Sequence, residues 1–179
     1  MIKPLNVSRF EEGLKNYVAG RIAAGGVTVP SAVAEAAVVQ VVPEVITGVT
    51  LEKLEVTVPS VAVISLDVPK DVIGVYADRV RIQIVAVTPW PVAGITLEDH
   101  RALFDVLIDC FPERPPTNAV PADVTAWAAL EAEFSSAVLA EAGYKIQGWA
   151  AIGGKQAKGK DRVEQILEIR PCIVHPDLV

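Results

Sequence analysis

Arg79-Val80-Arg81-Ile82-Gln83-Ile84-Val85-Ala86-Val87 sets Val80, Ile82, Ile84 and Ala86 against Arg79, Arg81, Gln83 and Val85. A period of two is the signature of a half-buried β-strand. Pro89-Trp90-Pro91 stops it, because proline cannot donate to a sheet ladder. Upstream, Leu54 to Leu66 is rich in β-branched residues and predicts a partner strand. Pro59 marks a bulge or a sheet edge within it, and a turn at Pro69-Lys70-Asp71 leads back to Arg79.

Helices flank this pair. Ser8-Arg9-Phe10-Glu11 matches a capping box, and Phe10, Leu14, Tyr17, Val18 and Ile22 then recur at helical spacing. Gly25-Gly26 supplies the exit, so the predicted helix covers residues 8 to 24. Ser31 to Val42 fits a helix after Pro30 or a strand from Ala36 to Val42; clustered valines favour the strand, and Pro43 interrupts it. Thr96-Leu97-Glu98-Asp99 predicts a second helix, with Thr96 as cap and acids at the positive end of the dipole. Leu103, Val106, Leu107 and Cys110 form its apolar stripe, and Pro112 closes it.

Pro112, Pro115, Pro116 and Pro121 predict a stiff surface loop. A third helix, residues 122 to 142, carries Trp127, Leu130, Phe134 and Val138 and ends at Gly143. Tyr144 to Ile152 and Arg162 to Val174 read as the arms of a C-terminal β-hairpin around a glycine-rich loop, 153 to 161. The expected architecture is one α+β domain over residues 1 to 179. An antiparallel sheet packs against two to three helices, with the Pro-rich loop and extra helix at 112 to 142.

Composition narrows the function classes. With 51% hydrophobic residues the chain is no disordered, collagen-like or disulfide-dense polypeptide. A net charge of −6 argues against a nucleic-acid coat, which needs a positive field. Cys110 and Cys172 form no CxxC and read as buried thiols. The opening residues Met1 to Asn6 lack a signal-peptide pattern. Charges and prolines cut every apolar stretch before the roughly 18 residues of a membrane span. These features predict a soluble protein made inside a cell, with no membrane partner.

No catalytic constellation emerges. Gly154 to Lys160 fits GxxxxGK, yet Asp161 stands where a magnesium-binding hydroxyl belongs and a strand follows where a P-loop opens a helix. His100, beside Asp99 and Arg101, reads as exposed; His175 precedes Pro176; neither has metal-ligand spacing. GxSxG is absent, and Glu131, Glu133 and Glu141 read as solvated acids on the third helix. The expectation is a protein without catalytic residue, metal or cofactor. Two features stand out instead. Lys155, Lys158, Lys160 and Arg162 crowd the flexible loop, as a contact for phosphate backbone or an acidic partner, or as a solvated end whose lysines protect an edge. Trp90 is either an edge plug for the core or an anchor in a subunit interface.

The order of elements, and above all the step from Arg79-Val80-Arg81-Ile82-Gln83-Ile84 into Thr96-Leu97-Glu98-Asp99-His100-Arg101-Ala102-Leu103, resembles tail-terminator proteins of tailed bacteriophages and related tail-completion and neck proteins. The resemblance implies a homo-oligomeric ring, a hexamer, that caps the tail tube and joins it to the head connector. The partners would be further copies of the chain, the tail tube protein and a neck or connector protein, with non-specific contact to passing DNA. The setting would be the virion, assembled in the host cytoplasm. Such a ring needs one patch that binds a different patch on the next copy. A neck adaptor or stopper is the alternative, followed by a small enzyme or a ligand-binding module.

Overall fold

The computed structural model describes residues 6–34, 37–48, 53, 58–67, 81–91, 96–111, 121–136 and 145–174. The first helix, α1, runs over Val7–Gly25. Its cap is Asn6 and not the expected Ser8: Asn6 Oδ1 accepts the Arg9 N–H at 3.2 Å, which leaves Ser8 inside the first turn. The far end follows the glycine reading. Gly26 turns left-handed at φ 61°, and the Gly26 and Val27 N–H groups reach back to Ala23 and Ile22, closing a Schellman motif.

The ambiguous stretch resolves as strands. β1 (Val29–Ala34) and β2 (Ala37–Val41) pair antiparallel in a sheet of their own, with Val29 opposite Val41. The main sheet contains β3 (Glu44–Thr47), β4 (Ser60–Asp67), β5 (Arg81–Pro89), β6 (Lys145–Lys158) and β7 (Arg162–Val174) in the order β3-β4-β5-β7-β6. It is antiparallel except at one edge, where β3 runs parallel to β4 with Val45 opposite Val61. That parallel pair corrects the expectation of a purely antiparallel sheet. Pro59 lies just before β4 and not within a strand; its carbonyl accepts the Glu44 N–H at 3.2 Å. Leu54 to Thr57, the turn at Pro69-Lys70-Asp71, and Arg79 and Val80 lie outside the described residues.

α2 covers Arg101–Asp109, starting four residues later than a cap at Thr96 predicts. Thr96 does meet Asp99: its N–H and Oγ1 donate to Asp99 Oδ2 at 2.7 and 2.9 Å, which fixes a turn ahead of the helix. α3 spans Pro121–Ser136. The Pro-rich loop over 112 to 120, the predicted helical residues 137 to 142, Gly143 and His175 lie outside the described residues. The class is α+β, with a C-terminal hairpin.

The helices share one core with the sheet. Phe10, Leu14, Tyr17, Val18 and Ile22 of α1, Leu103 and Leu107 of α2, and Trp127 and Leu130 of α3 are buried with Val61, Val63, Ile82, Ile84, Leu167 and Ile169. Aromatic rings knot it where α1, the end of α2 and β6 meet. Trp149 stacks 6.3 Å from Phe10 and meets Phe111 edge-on at 5.0 Å, and Phe111 meets Tyr17 at 6.1 Å. The Tyr17 hydroxyl donates to the Cys110 carbonyl, tying α1 to the end of α2. Burial pushes the Tyr17 phenol well above its usual range and the Cys110 thiol up to about 12, so both stay protonated at neutral pH.

β5 departs from the half-buried reading. Its second face carries Val85 and Val87, which with Ala62 of β4 form a separate buried cluster flanked by Ile46, Ile64 and Ile166. The polar alternation of Arg81 and Gln83 gives way to a stretch buried on both faces, where Val85 and Val87 pack among apolar side chains of β3, β4 and β7.

Candidate interaction surface at the hairpin end

The hairpin arms are longer than the glycines suggest. β6 continues through Gly153, Gly154 and Lys155 to Lys158, paired to β7 as far as Lys158 opposite Val163. The turn shrinks to Gly159-Lys160-Asp161, closed by the Gly159 N–H donating to the Arg162 carbonyl at 2.7 Å. The expected flexible loop is therefore mostly strand, and Gly154 has a packing reason. A Cβ there would lie 2.9 Å from Cζ of Phe104, whose ring comes from α2. Gly154→Val should push Phe104 aside and cost about 1–3 kcal/mol, read as a lower midpoint in urea unfolding.

The four cations do not form one cluster. Lys155 sits opposite Ile166 and Lys158 opposite Val163, so pleating sends them to opposite faces of the sheet. Arg162 is paired to Glu164 along the same strand, Nε to Oε1 at 2.9 Å, with both side chains largely covered. Lys158 Nζ lies 4.4 Å over the Trp90 ring. Lys155 and Lys160 are exposed, and among the described residues neither takes part in an ion pair. Further along the hairpin, Arg81 Nε and a terminal guanidinium nitrogen both bond Glu168 Oε1, bracing β5 to β7.

Trp90 is the centre of this end. It is partly buried, and its N–H donates to the Asp161 carbonyl at 2.8 Å, which ties the end of β5 to the hairpin turn. Its ring meets His100 edge-on, with centroids 5.6 Å apart. His100 is 1% exposed, which corrects its reading as a solvent-exposed residue. The sequence hides this because Asp99 and Arg101 on either side are exposed; the burial arises from the turn that aims His100 inward. Among the described residues neither imidazole nitrogen has a hydrogen-bond partner. An unpaired buried donor or acceptor costs about 1–3 kcal/mol, so this residue calls for a reason. Burial holds its pKa below the ordinary value, opposed by the nearby Asp99 carboxylate. Hydrogen bonds from the Thr96 backbone and hydroxyl in turn hold Asp99 below its usual range.

Elsewhere, a cleft of about 360 Å³ opens between α1 and α3, lined by Tyr17, Gly20, Arg21, Ala24, Ala129 and Ala132. Among the described residues no group of His, Cys, Asp and Glu is arranged to hold a metal ion, and no helix is long and apolar enough to cross a membrane.

Among the described residues β3 and β6 edge the main sheet and β1 and β2 the smaller one, and two of these edges bear on the surface. β6, fourteen residues long, ends the main sheet with no further strand beside it among the described residues. β2 has one unpaired edge in its two-stranded sheet, and Val39 on it and Val42 beyond it are 43% and 60% exposed. Family models, curated proteins and solved structures offer no match to this chain.

Proposed function

We propose that the chain is a structural virion protein of the tail-terminator kind, closing into a homohexameric ring that caps the tail tube and joins it to the head connector. The observation that carries this reading is that two of the open edges are unlike, apolar at β2 and basic at the end of β6. A head-to-tail interface joins two different patches and closes into a ring when the rotation permits. A two-stranded sheet with exposed valines is a marginal structure on its own and gains from a covering partner. In this reading the β2 edge of one copy adds to the β6 edge of the next. Lys155 and Lys160 then flank the seam between copies, and where the seam meets the lumen a few cations make weak, salt-sensitive contact with passing DNA.

Native mass measurement of the chain, alone and mixed with candidate tube protein, tests the proposal. The expected species are a closed ring of several subunits or a complex on the tube end. Binding to a connector protein in place of the tube would turn the reading toward a neck adaptor. A strict monomer under all three conditions would overturn it.

A further inference from the structure

We propose that Lys158, Trp90 and His100 form an acid-released latch that holds the basic end of the β6–β7 hairpin against α2, and that a proton on His100 opens it. The latch is independent of the ring reading. Its parts come from separate elements: Trp90 from the end of β5, Lys158 from β6, His100 from the start of α2. The Lys158 ammonium lies 4.4 Å over the indole, the imidazole meets it at 5.6 Å, and the Trp90 N–H is bonded to the Asp161 carbonyl in the turn. The contact therefore couples the hairpin turn to the helix.

A neutral imidazole fits this place and an imidazolium does not. Neither ring nitrogen meets an acceptor among the described residues. The start of α2 presents the positive end of the helix dipole. The indole already carries one cation, Lys158. Around His100 on its own segment, Asp99 attracts a proton, but its carboxylate is exposed and bonded to Thr96. Glu98 and Arg101 face each other at 3.9 Å. From the hairpin come Lys158, exposed Lys160 and Asp161 in the turn, and Arg162 paired to Glu164. None of them hydrogen-bonds the imidazole.

The sign follows from linkage. While latched, His100 is held below its ordinary value of about 6.5; once open and solvated it regains that value. The open form therefore binds the proton more tightly. Latch stability is complete above about pH 6.5 and falls as the pH drops from there toward the lowered value. Each pKa unit of lowering multiplies the acid-side open population about tenfold.

Histidine C–H resonances and amide hydrogen exchange of the full chain, followed from neutral pH down to about pH 5, test this. The expected result is a His100 titration below about 6.5. Over the same range the Trp90 amide should progressively lose protection, while central β5 amides keep theirs. His100→Gln removes the titrating group and should keep Trp90 protected throughout. Lys158→Met should loosen Trp90 already at neutral pH. The proposal is overturned if His100 titrates as an exposed imidazole, if Trp90 protection ignores pH, or if His100→Gln opens over the wild-type range. Should His100→Gln fail to fold, unchanged Trp90 protection in Lys158→Met at neutral pH overturns it equally.

Discussion

Trp149→Ala is expected to cost about 3–5 kcal/mol, a third or more of the stability of a typical domain. Trp149 is 2% exposed on β6 and is the ring on which Phe10 of α1 and Phe111, just past α2, both pack. Truncation removes two aromatic contacts and opens a cavity under two helices, and neighbours held in regular elements relax only partly into it. With a urea slope of about 1–3 kcal/mol per molar, the unfolding midpoint should drop by about 1 M or more. A drop below about 0.3 M would mean that the aromatic knot does not hold the helices to the sheet.

Val85→Asp is the second large effect. Val85 is fully buried on the sheet face away from the main core, beside Ala62 and Val87. A carboxylate there has no cationic partner in its cluster, and an unpaired buried charge costs several kcal/mol. The variant should be unfolded or insoluble at neutral pH, seen as loss of near-ultraviolet dichroism and a collapsed melting transition. Gln83→Lys, two residues earlier on the same face and opposite Glu168, should stay within about 0.5 kcal/mol of the parent. If both variants fold alike, the second face of β5 is solvated and the two-cluster description fails.

These two residues show how far the sequence could be read. Helix α1 was legible because five apolar residues kept one period and a glycine pair closed it; only its cap moved, from Ser8 to Asn6. The start of β5 was legible by alternation, but nothing in Val85-Ala86-Val87 reveals whether a second face is covered, since burial there depends on apolar neighbours from β3, β4 and β7. β3 is four residues long, too short for any period to register, so the parallel pair went unread. Gly153 and Gly154 carried the usual signal of a loop, whereas Gly154 makes room for Phe104 from a helix some fifty residues earlier in the chain.

The candidate surface was half legible. Trp90 and the lysines stand out by composition and position, and the structure sets Lys158 on Trp90 while separating Lys155 from Lys158 by face. His100 was misread, because its burial and its contact with Trp90 come from strand register and from the turn before α2. Arg162 joined the cluster by proximity in sequence, yet its charge is already answered by Glu164. Long-range contact such as that of Lys158 with Trp90 leaves no trace in local spacing.

Mixing two half-blocked chains tests the head-to-tail account most directly. One carries Val39→Asn and Val42→Asn at the β2 edge, the other Lys155→Glu and Lys160→Glu at the end of β6. Each alone should stay monomeric by native mass measurement, and the mixture should give a species of two subunits that grows no further. Rings from either variant alone, or no pairing in the mixture of folded chains, would contradict assembly through two unlike edges.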